Sequence, residues 1–396
     1  MRVFFCLPMP PTVKTLHSCL EHYFGQIPDP RVERTRAHPL LDIIAIALFA
    51  VLSGADSWVA IETYGNAKRS WLETFLPLPN GIPSHDTFAR VFARLAPDAF
   101  EASFQQWIKA LASTLGTQLV AIDGKTVNGS YDREGGIKAL QLVSAWASEH
   151  RLVLGQCAVA SKSNEITAIP VLLEQLALAG CIVSIDAMGT QSAIAEQLIQ
   201  QQADYILALK GNHPTLFKQA QAGFKEMREH QGEGTAPTAY QETEAGHHRI
   251  ESRTLWQIPA VDVFSKDQVK SWPGLQRLVI VQSHRRLWNK DTVETRYFLS
   301  SLSLDASTFA RYIRAHWGVE NQLHWCLDVV FKEDASRIRK DHAPRNMSLL
   351  RRLALNLLRQ EPSKGSLAMK RYRAGLDDQF MLQILGAKLP HFDAHS

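Results

Sequence analysis

The chain has 396 residues, enough for two or three domains and a sizeable buried core. At 45% hydrophobic and 21% charged residues it is globular, which excludes a disordered or low-complexity protein. The five cysteines (Cys6, Cys19, Cys157, Cys181, Cys326) are scattered, with no C-x-x-C pair; this excludes a disulfide frame or structural zinc site and fits a reducing, cytoplasmic setting.

The N-terminus, MRVFFCLPMPP, is interrupted by prolines before a secretory pattern develops. Ile43–Leu52 is the most apolar run, but ten residues cannot span a bilayer, so a buried core helix is expected and no membrane partner. Residues 1–115 read as a helical N-terminal domain with its own core, built on Leu40–Leu52, Ser57–Phe75, a helix capped by Ser84, and Pro97–Leu115. A DNA-binding role is one reading of it.

At Gln118 the pattern changes. The run LVAIDG ends near Asp123, and Leu140–Ala147 and Leu152–Ala160 follow as strands. Glu165–Gly180 reads as a helix, CIVSIDAMG as a strand ending at Asp186, Thr190–Ala203 as a helix and Asp204–Leu209 as a strand. This order predicts a mixed α/β sheet over residues 116–211. Residues 212–304 read as a β-rich insertion after a helix at Pro214–His230. Its strands are His247–Trp256, Leu278–Arg286 and Thr295–Ser300. On the first of these, His247, Arg249, Glu251 and Arg253 share a face. Arg249 and Arg253 then either contact a nucleic-acid backbone or belong to a cross-strand ion pair.

Residues 305–375 return to helix, followed by a tail at 376–396. In His316–Asp334 the residues Glu320, His324 and Asp328 recur at four-residue steps, so an α-helix places them on one face. Trp317 and Trp325 flank that row and read as core rather than as base-stacking platforms. Between Arg337 and Arg373 eleven Lys/Arg stand against Asp341 and Glu361, a basic segment that reads as a polyanion-binding footprint.

Two strands ending in aspartate, Asp123 and Asp186, and a helical Glu320 form a set of acceptor-only oxygen ligands. Such a set suits a hard cation, Mg²⁺ or Mn²⁺, and two such ions support phosphoryl transfer without a side-chain nucleophile. Lys125 and Lys210, just past strand ends, either contact phosphates or are solvated.

Several long motifs carry a family likeness: GIPSHDTFARVF, AIDGKT, SIDAMGTQ, LALKGNH and HWGVENQLHWCLDVVFKEDASR, in this order. With them the chain resembles the DDE-class transposases of bacterial insertion sequences, in the ISAs group with the H-repeat-associated proteins. The resemblance implies an RNase H-like core interrupted by the β-rich insertion, with Asp123, Asp186 and Glu320 catalytic and holding two Mg²⁺ ions. His324 and Asp328 would support them. It implies cleavage of DNA at transposon ends, strand transfer into target DNA, and a homodimer in the DNA complex. An inactive, domesticated or decayed DNA-binding copy is the alternative. Related families carry a Tyr-Arg-Glu-Lys signature; here His316 replaces its arginine and Leu327 its lysine. His316, His324, Lys332 and Arg337 are then candidate DNA contacts, and His248 stands where the family has glycine.

Overall fold

A computed structural model describes residues 13–112, 118–132, 136–160, 164–229, 239–246, 249–287 and 289–386. Cys6, His247 and His248 lie outside the described residues.

Helices α1 (Val13–Phe24), α2 (Leu40–Leu52), α3 (Trp58–Ala67), α4 (Arg69–Leu72), α5 (His85–Arg94) and α6 (Pro97–Ala112) precede the first strand. The expected caps are present: Ser57 accepts from the Ala60 N–H and Ser84 from the Thr87 N–H. Helix α2 is apolar all round, and eleven consecutive residues from Asp42 to Leu52 are buried. A helix of that kind must be covered on every side. It therefore draws in a late element, α13 (Ala343–Gln360), which also packs on α5, α6 and strand β3 (Leu152–Ala158). The N-terminal helices thus share one continuous core with the sheet and the C-terminal helices rather than closing a separate one.

The strands form one nine-stranded sheet in the order β3-β2-β1-β4-β5-β9-β8-β7-β6. These are β1 (Leu119–Val127), β2 (Leu140–Ala147), β4 (Ile182–Ile185), β5 (Asp204–Leu209), β6 (Tyr240–Gly246), β7 (Arg249–Pro259), β8 (Arg277–Leu287) and β9 (Lys290–Ser300). Strands β1, β2 and β3 are antiparallel neighbours, while β4 and β5 run parallel to β1. That order and those directions make an RNase H-like core. The β-rich stretch is not a detached module. Strand β9 pairs antiparallel with β5, from Ile206↔Ser300 to Leu209↔Tyr297, so β6–β9 extend the same sheet.

Alternation along each strand feeds two cores. Val120, Ile122, Val183, Tyr205 and Leu207 face the large core, where α7 (Glu165–Glu174) and α8 (Ser192–Gln200) lie. Leu119, Ile182, Ile206, Val279 and Val281 face a second core closed by Phe309 and Ile313 of α11 (Ala306–His316). Helix α9 (Pro214–Glu229) leads from β5 toward β6, and α10 (Lys266–Lys270) lies between β7 and β8. Helices α14 (Leu367–Leu376) and α15 (Asp378–Gly386) finish the described chain.

Polar groups are spent to dock α13 on the edge strand. Asn356 Oδ1 accepts from the Val153 N–H at 2.9 Å, and its Nδ2 donates to Val153 O at 2.8 Å. The side-chain amide thus acts as one more strand residue. A buried group left unmet there would cost about 1–3 kcal/mol.

Much of the basic segment is used the same way, which takes those charges out of the expected polyanion-binding footprint, while Arg337, Lys340, Lys364 and Arg373 are exposed. Arg352 is fully buried against Glu333 (3.0 Å), Arg345 bonds Glu101 (2.6 Å), and Lys370 reaches Glu361 (2.9 Å). Arg371 bonds the backbone carbonyls of Val51 and Val330, and Arg359 lies over Trp146. Most of these charges bond acceptors 19 or more residues away, a distribution that a local charge count cannot see.

Candidate active site

Register brings the two aspartates together. Strands β1 and β4 pair in parallel from Leu119↔Ile182 to Ile122↔Ile185, so Asp123 and Asp186 follow the last paired residues side by side. By alternation both belong to the face covered by α11. Helix α11, capped by Asp305 accepting from the Thr308 N–H at 2.9 Å, crosses that face and ends at His316. There His316 Nδ1 and Ser184 Oγ of β4 lie 2.8 Å apart. Burial holds the His316 pKa down at about 4, against the opposing effect of Asp186, so the ring is neutral. The expected DNA contact at His316 is thus taken by an anchor between helix and strand.

Past this anchor the helix changes pitch. Residues Val319–His324 form a π-helix, with the Trp325 N–H bonding Glu320 O, before α12 (Trp325–Val329) resumes α geometry. The wider turn alters the single-face row expected for Glu320, His324 and Asp328. Glu320 is exposed at the strand ends. His324 tucks in, its Nδ1 3.6 Å from Asp123 Oδ2. Burial first, then the Arg352 and Lys125 charges, lower the His324 pKa to about 3, so it meets Asp123 uncharged. Asp328 turns to Lys125, 2.7 Å away.

Lys125 also approaches Asp334 at 3.4 Å, and Asp334 in turn accepts from the Asn128 backbone (3.2 Å) and side chain (2.8 Å). With its side chain only 6% exposed, Lys125 is a clamp tying β1 to the segment after Glu320, not a free phosphate contact. Glu333 beside it is fully buried. Burial alone would raise its pKa, but Arg352, Arg351 and the Ser348 hydroxyl outweigh that and lower it.

The carboxylates that converge here oppose one another. The Asp123 pKa is pushed up to about 7, first by burial and then by the charges of Asp186, Glu320 and Glu165, against a lowering bond from the Gly124 N–H. Glu165, at the start of α7, was not singled out from the sequence. It too is raised, by burial and then by Asp186. Among the described residues no Lys or Arg ion pair reaches Asp123, Asp186, Glu320 or Glu165; within ion-pair distance stands neutral His324, and neutral His316 lies near Asp186. This donor set suits a hard divalent cation in kind, being all oxygen and uncompensated. It is not drawn to coordination distance, since among the described residues no group of three is close enough to hold an ion as placed.

The remaining candidates are more distant or otherwise engaged. Lys210 is exposed just past β5, and Arg337 is exposed beyond α12. Lys332 is exposed and pairs with Asp56 at 3.0 Å. Arg253 bonds Glu242 of β6 (3.2 Å) and Glu251 (2.6 Å), and Arg249 stands 3.8 Å from Glu251, so the cross-strand ion pair is present. A cleft of about 810 Å³ opens between β6–β9 and α11, lined by six arginines (249, 253, 285, 296, 311 and 314) and four glutamates (242, 244, 251 and 294). It runs to Trp317, over which Arg296 stacks at 4.7 Å. Trp317 and Trp325 are 38% and 56% exposed, so neither is core as expected.

Carboxylates that follow the paired ends of β1 and β4 in an RNase H-like sheet, and one from a late helix, thus face one another. The chain belongs to the DDE transposase family: residues 114–357 match the Transposase DDE domain, and residues 21–108 match the DDE_Tnp_1-associated domain. It is 38% identical over 371 residues to the "Putative transposase YncI" of Escherichia coli O157:H7, covering 92% of this chain and 94% of that one. It is 37% identical over 375 residues to the "H repeat-associated putative transposase YhhI" of Escherichia coli strain K12, covering 93% and 98%. A shorter relative from the same strain, "Inactive transposase YbfQ", is 38% identical over 79 residues, covering 20% of this chain and 93% of its own. Among solved structures, a piggyBac transposase synaptic complex with hairpin DNA aligns with TM-score 0.41 and 9% identity, over 95% of this chain and 78% of that one. The fold assignment rests on strand order, not on that alignment.

Proposed function

We propose that the chain is an active DNA transposase that cuts phosphodiesters at the ends of its element and joins the freed 3′-hydroxyls to target DNA. Asp123, Asp186 and Glu320 are the residues that would hold two Mg²⁺ (or Mn²⁺) ions. Such ions supply charge compensation at the scissile phosphate and an activated oxygen nucleophile. The observation that carries this is the convergence of three carboxylates from β1, β4 and the π-helix with no described Lys or Arg among them.

The protein's own residues set the geometry. Asp123 sits within paired strand β1 and Asp186 follows directly on paired strand β4, and such elements hold a site more precisely than loops do. The Ser184–His316 contact and the Lys125–Asp328 pair brace the π-helix before and after Glu320. Neutral His324 packs on Asp123 without neutralising it. The arginine-rich cleft offers forked donors to phosphate oxygens, in exchange for the glutamates that hold them in the free protein. Lys210, Lys332 and Arg337 would add contacts to the DNA backbone, and a homodimer would bring two ends together.

The test is strand transfer. Pre-cut oligonucleotides bearing the element's ends, a target plasmid and Mg²⁺ should give joined products. Asp123→Ala, Asp186→Ala and Glu320→Ala should each abolish joining while DNA binding persists. Joining by the triple variant would overturn the proposal. Salt-sensitive binding by the wild-type chain with no cleavage in any divalent metal would replace it by a decayed, DNA-binding copy.

A further inference from the structure

We propose that Glu165 is a fourth carboxylate of this site, presenting an oxygen to the divalent cation from the opposite side of the sheet. The inference rests on Asp123, Asp186 and Glu320 being the metal-holding set.

Helix α7 lies on the face of the sheet away from α11, seated there by Ala168, Ile169, Leu172 and Leu173. On β1, side chains at even positions point to that face, and residue 124 is the one beside Asp123. It is glycine, and Glu165 occupies the space its side chain would take. A Cβ built on Gly124 would lie 2.1 Å from Glu165 Oε1, 2.4 Å from Cδ and 2.7 Å from Oε2. The carboxylate is therefore pressed against the strand backbone between Asp123 and Lys125. No other side chain at 124 leaves that space.

The backbone itself does not call for glycine here. Gly124 is not among the residues with positive φ, and it pairs in regular register with Val143. A glycine inside a strand weakens it relative to alanine and often marks a place where another group must come close. That group is the Glu165 carboxylate. An acid in the first turn of a helix is favoured by the helix dipole alone, but that effect neither requires the side chain to press on β1 nor selects glycine at 124. Glu165 also lies near enough to Asp186 and Asp123 for the charges to oppose one another. Among the described residues no Lys or Arg pairs with it. Carboxylates thus flank the β1 and β4 ends from both faces: Asp123, Asp186 and Glu320 on the α11 side, and Glu165 through the opening at Gly124.

The test reads metal occupancy, not turnover. Mn²⁺ binding to the full chain, without DNA, is titrated by the loss of the free-ion electron paramagnetic resonance signal. Asp123→Asn, Glu165→Gln and Gly124→Ala are compared with wild type, and circular dichroism checks each fold. Glu165→Gln, which keeps shape and removes charge, should weaken Mn²⁺ binding about tenfold or more. Gly124→Ala should weaken it in the same direction, because its methyl displaces the Glu165 carboxylate. Wild-type affinity in Glu165→Gln, with binding lost in Asp123→Asn, would overturn the fourth-carboxylate assignment and leave the proposed function standing. Wild-type affinity in both would overturn the two together. If Gly124→Ala alone binds normally, the approach through residue 124 is refuted.

Discussion

In the metal-free protein, replacing Asp123 with Asn should stabilise the fold, and increasingly so as pH rises. The Asp123 carboxyl has an ordinary pKa of 3.8, raised to about 7 in the fold. Below the lower value both folded and unfolded chains carry the proton, and the group costs nothing. Between the two values folding must take up a proton, so stability falls as pH rises. Above about pH 7 the full cost is present. About three units at roughly 1.4 kcal/mol each give a ceiling of about 4 kcal/mol. Asn carries no such linkage. The stability gap between Asp123→Asn and wild type should therefore widen by about 2–3 kcal/mol from pH 5 to pH 8, then level off. Urea melts in chelator across that range measure it. Saturating Mg²⁺, at about 100 times its Kd, should restore about 2.7 kcal/mol to wild type and none to the variant. A gap that does not change with pH would refute the idea that burial, with charge crowding added, raises Asp123.

Other substitutions probe the braces around the site. Lys125→Met leaves Asp328 and Asp334 facing each other without their cation; it should cost about 1–3 kcal/mol in urea melts, discounted because both carboxylates are partly exposed. Adding Asp328→Asn should recover part of that loss, and no recovery would mean that Lys125 acts through packing alone. Glu333→Ala strands Arg352 without its buried partner and should cost about 3–5 kcal/mol, read as a lower urea midpoint. Arg314 ties α11 to Glu242 and Glu244 across the cleft. Because these groups are exposed, Arg314→Ala should change stability by no more than about 1 kcal/mol, yet it should lower DNA affinity and flatten its salt dependence.

Much of the frame was legible in the sequence because it depends on local pattern. Apolar runs such as LVAIDG and CIVSIDAMG mark where β1 and β4 begin, although β1 continues past Asp123 to Val127 and β4 stops at Ile185, and Ser84 and Asp305 cap the helices they precede. The pairing of Asp123 with Asp186 follows from two parallel strands of matched register, which the order of elements suggested. Other features depend on partners distant in sequence. Strand β6 is mostly polar and exposed, so it lacks the apolar alternation that marks a strand. Lys125 looked free because Asp328 and Asp334 lie more than 200 residues away. The arginines of α13 read as part of a polyanion-binding footprint because their partners, Glu101 and Glu333, lie elsewhere in the chain. For Glu165 the available signal was the glycine directly after Asp123, which carries meaning only once α7 is seen to face it.

The π-helix at Val319–His324 amounts to one residue more than an α-helix needs over the same rise. Removing one residue there would restore ordinary winding at no cost in local hydrogen bonding. Because the wider turn winds less per residue, the shortened α-helix would sweep nearly the same angle and leave the flanking segments in their orientations. Trp317 and Arg314 would keep their places against the cleft, and Asp328 its place on the Lys125 clamp. A single-codon deletion in this turn should therefore spare the fold and fall on the residues inside the turn, Glu320 and His324.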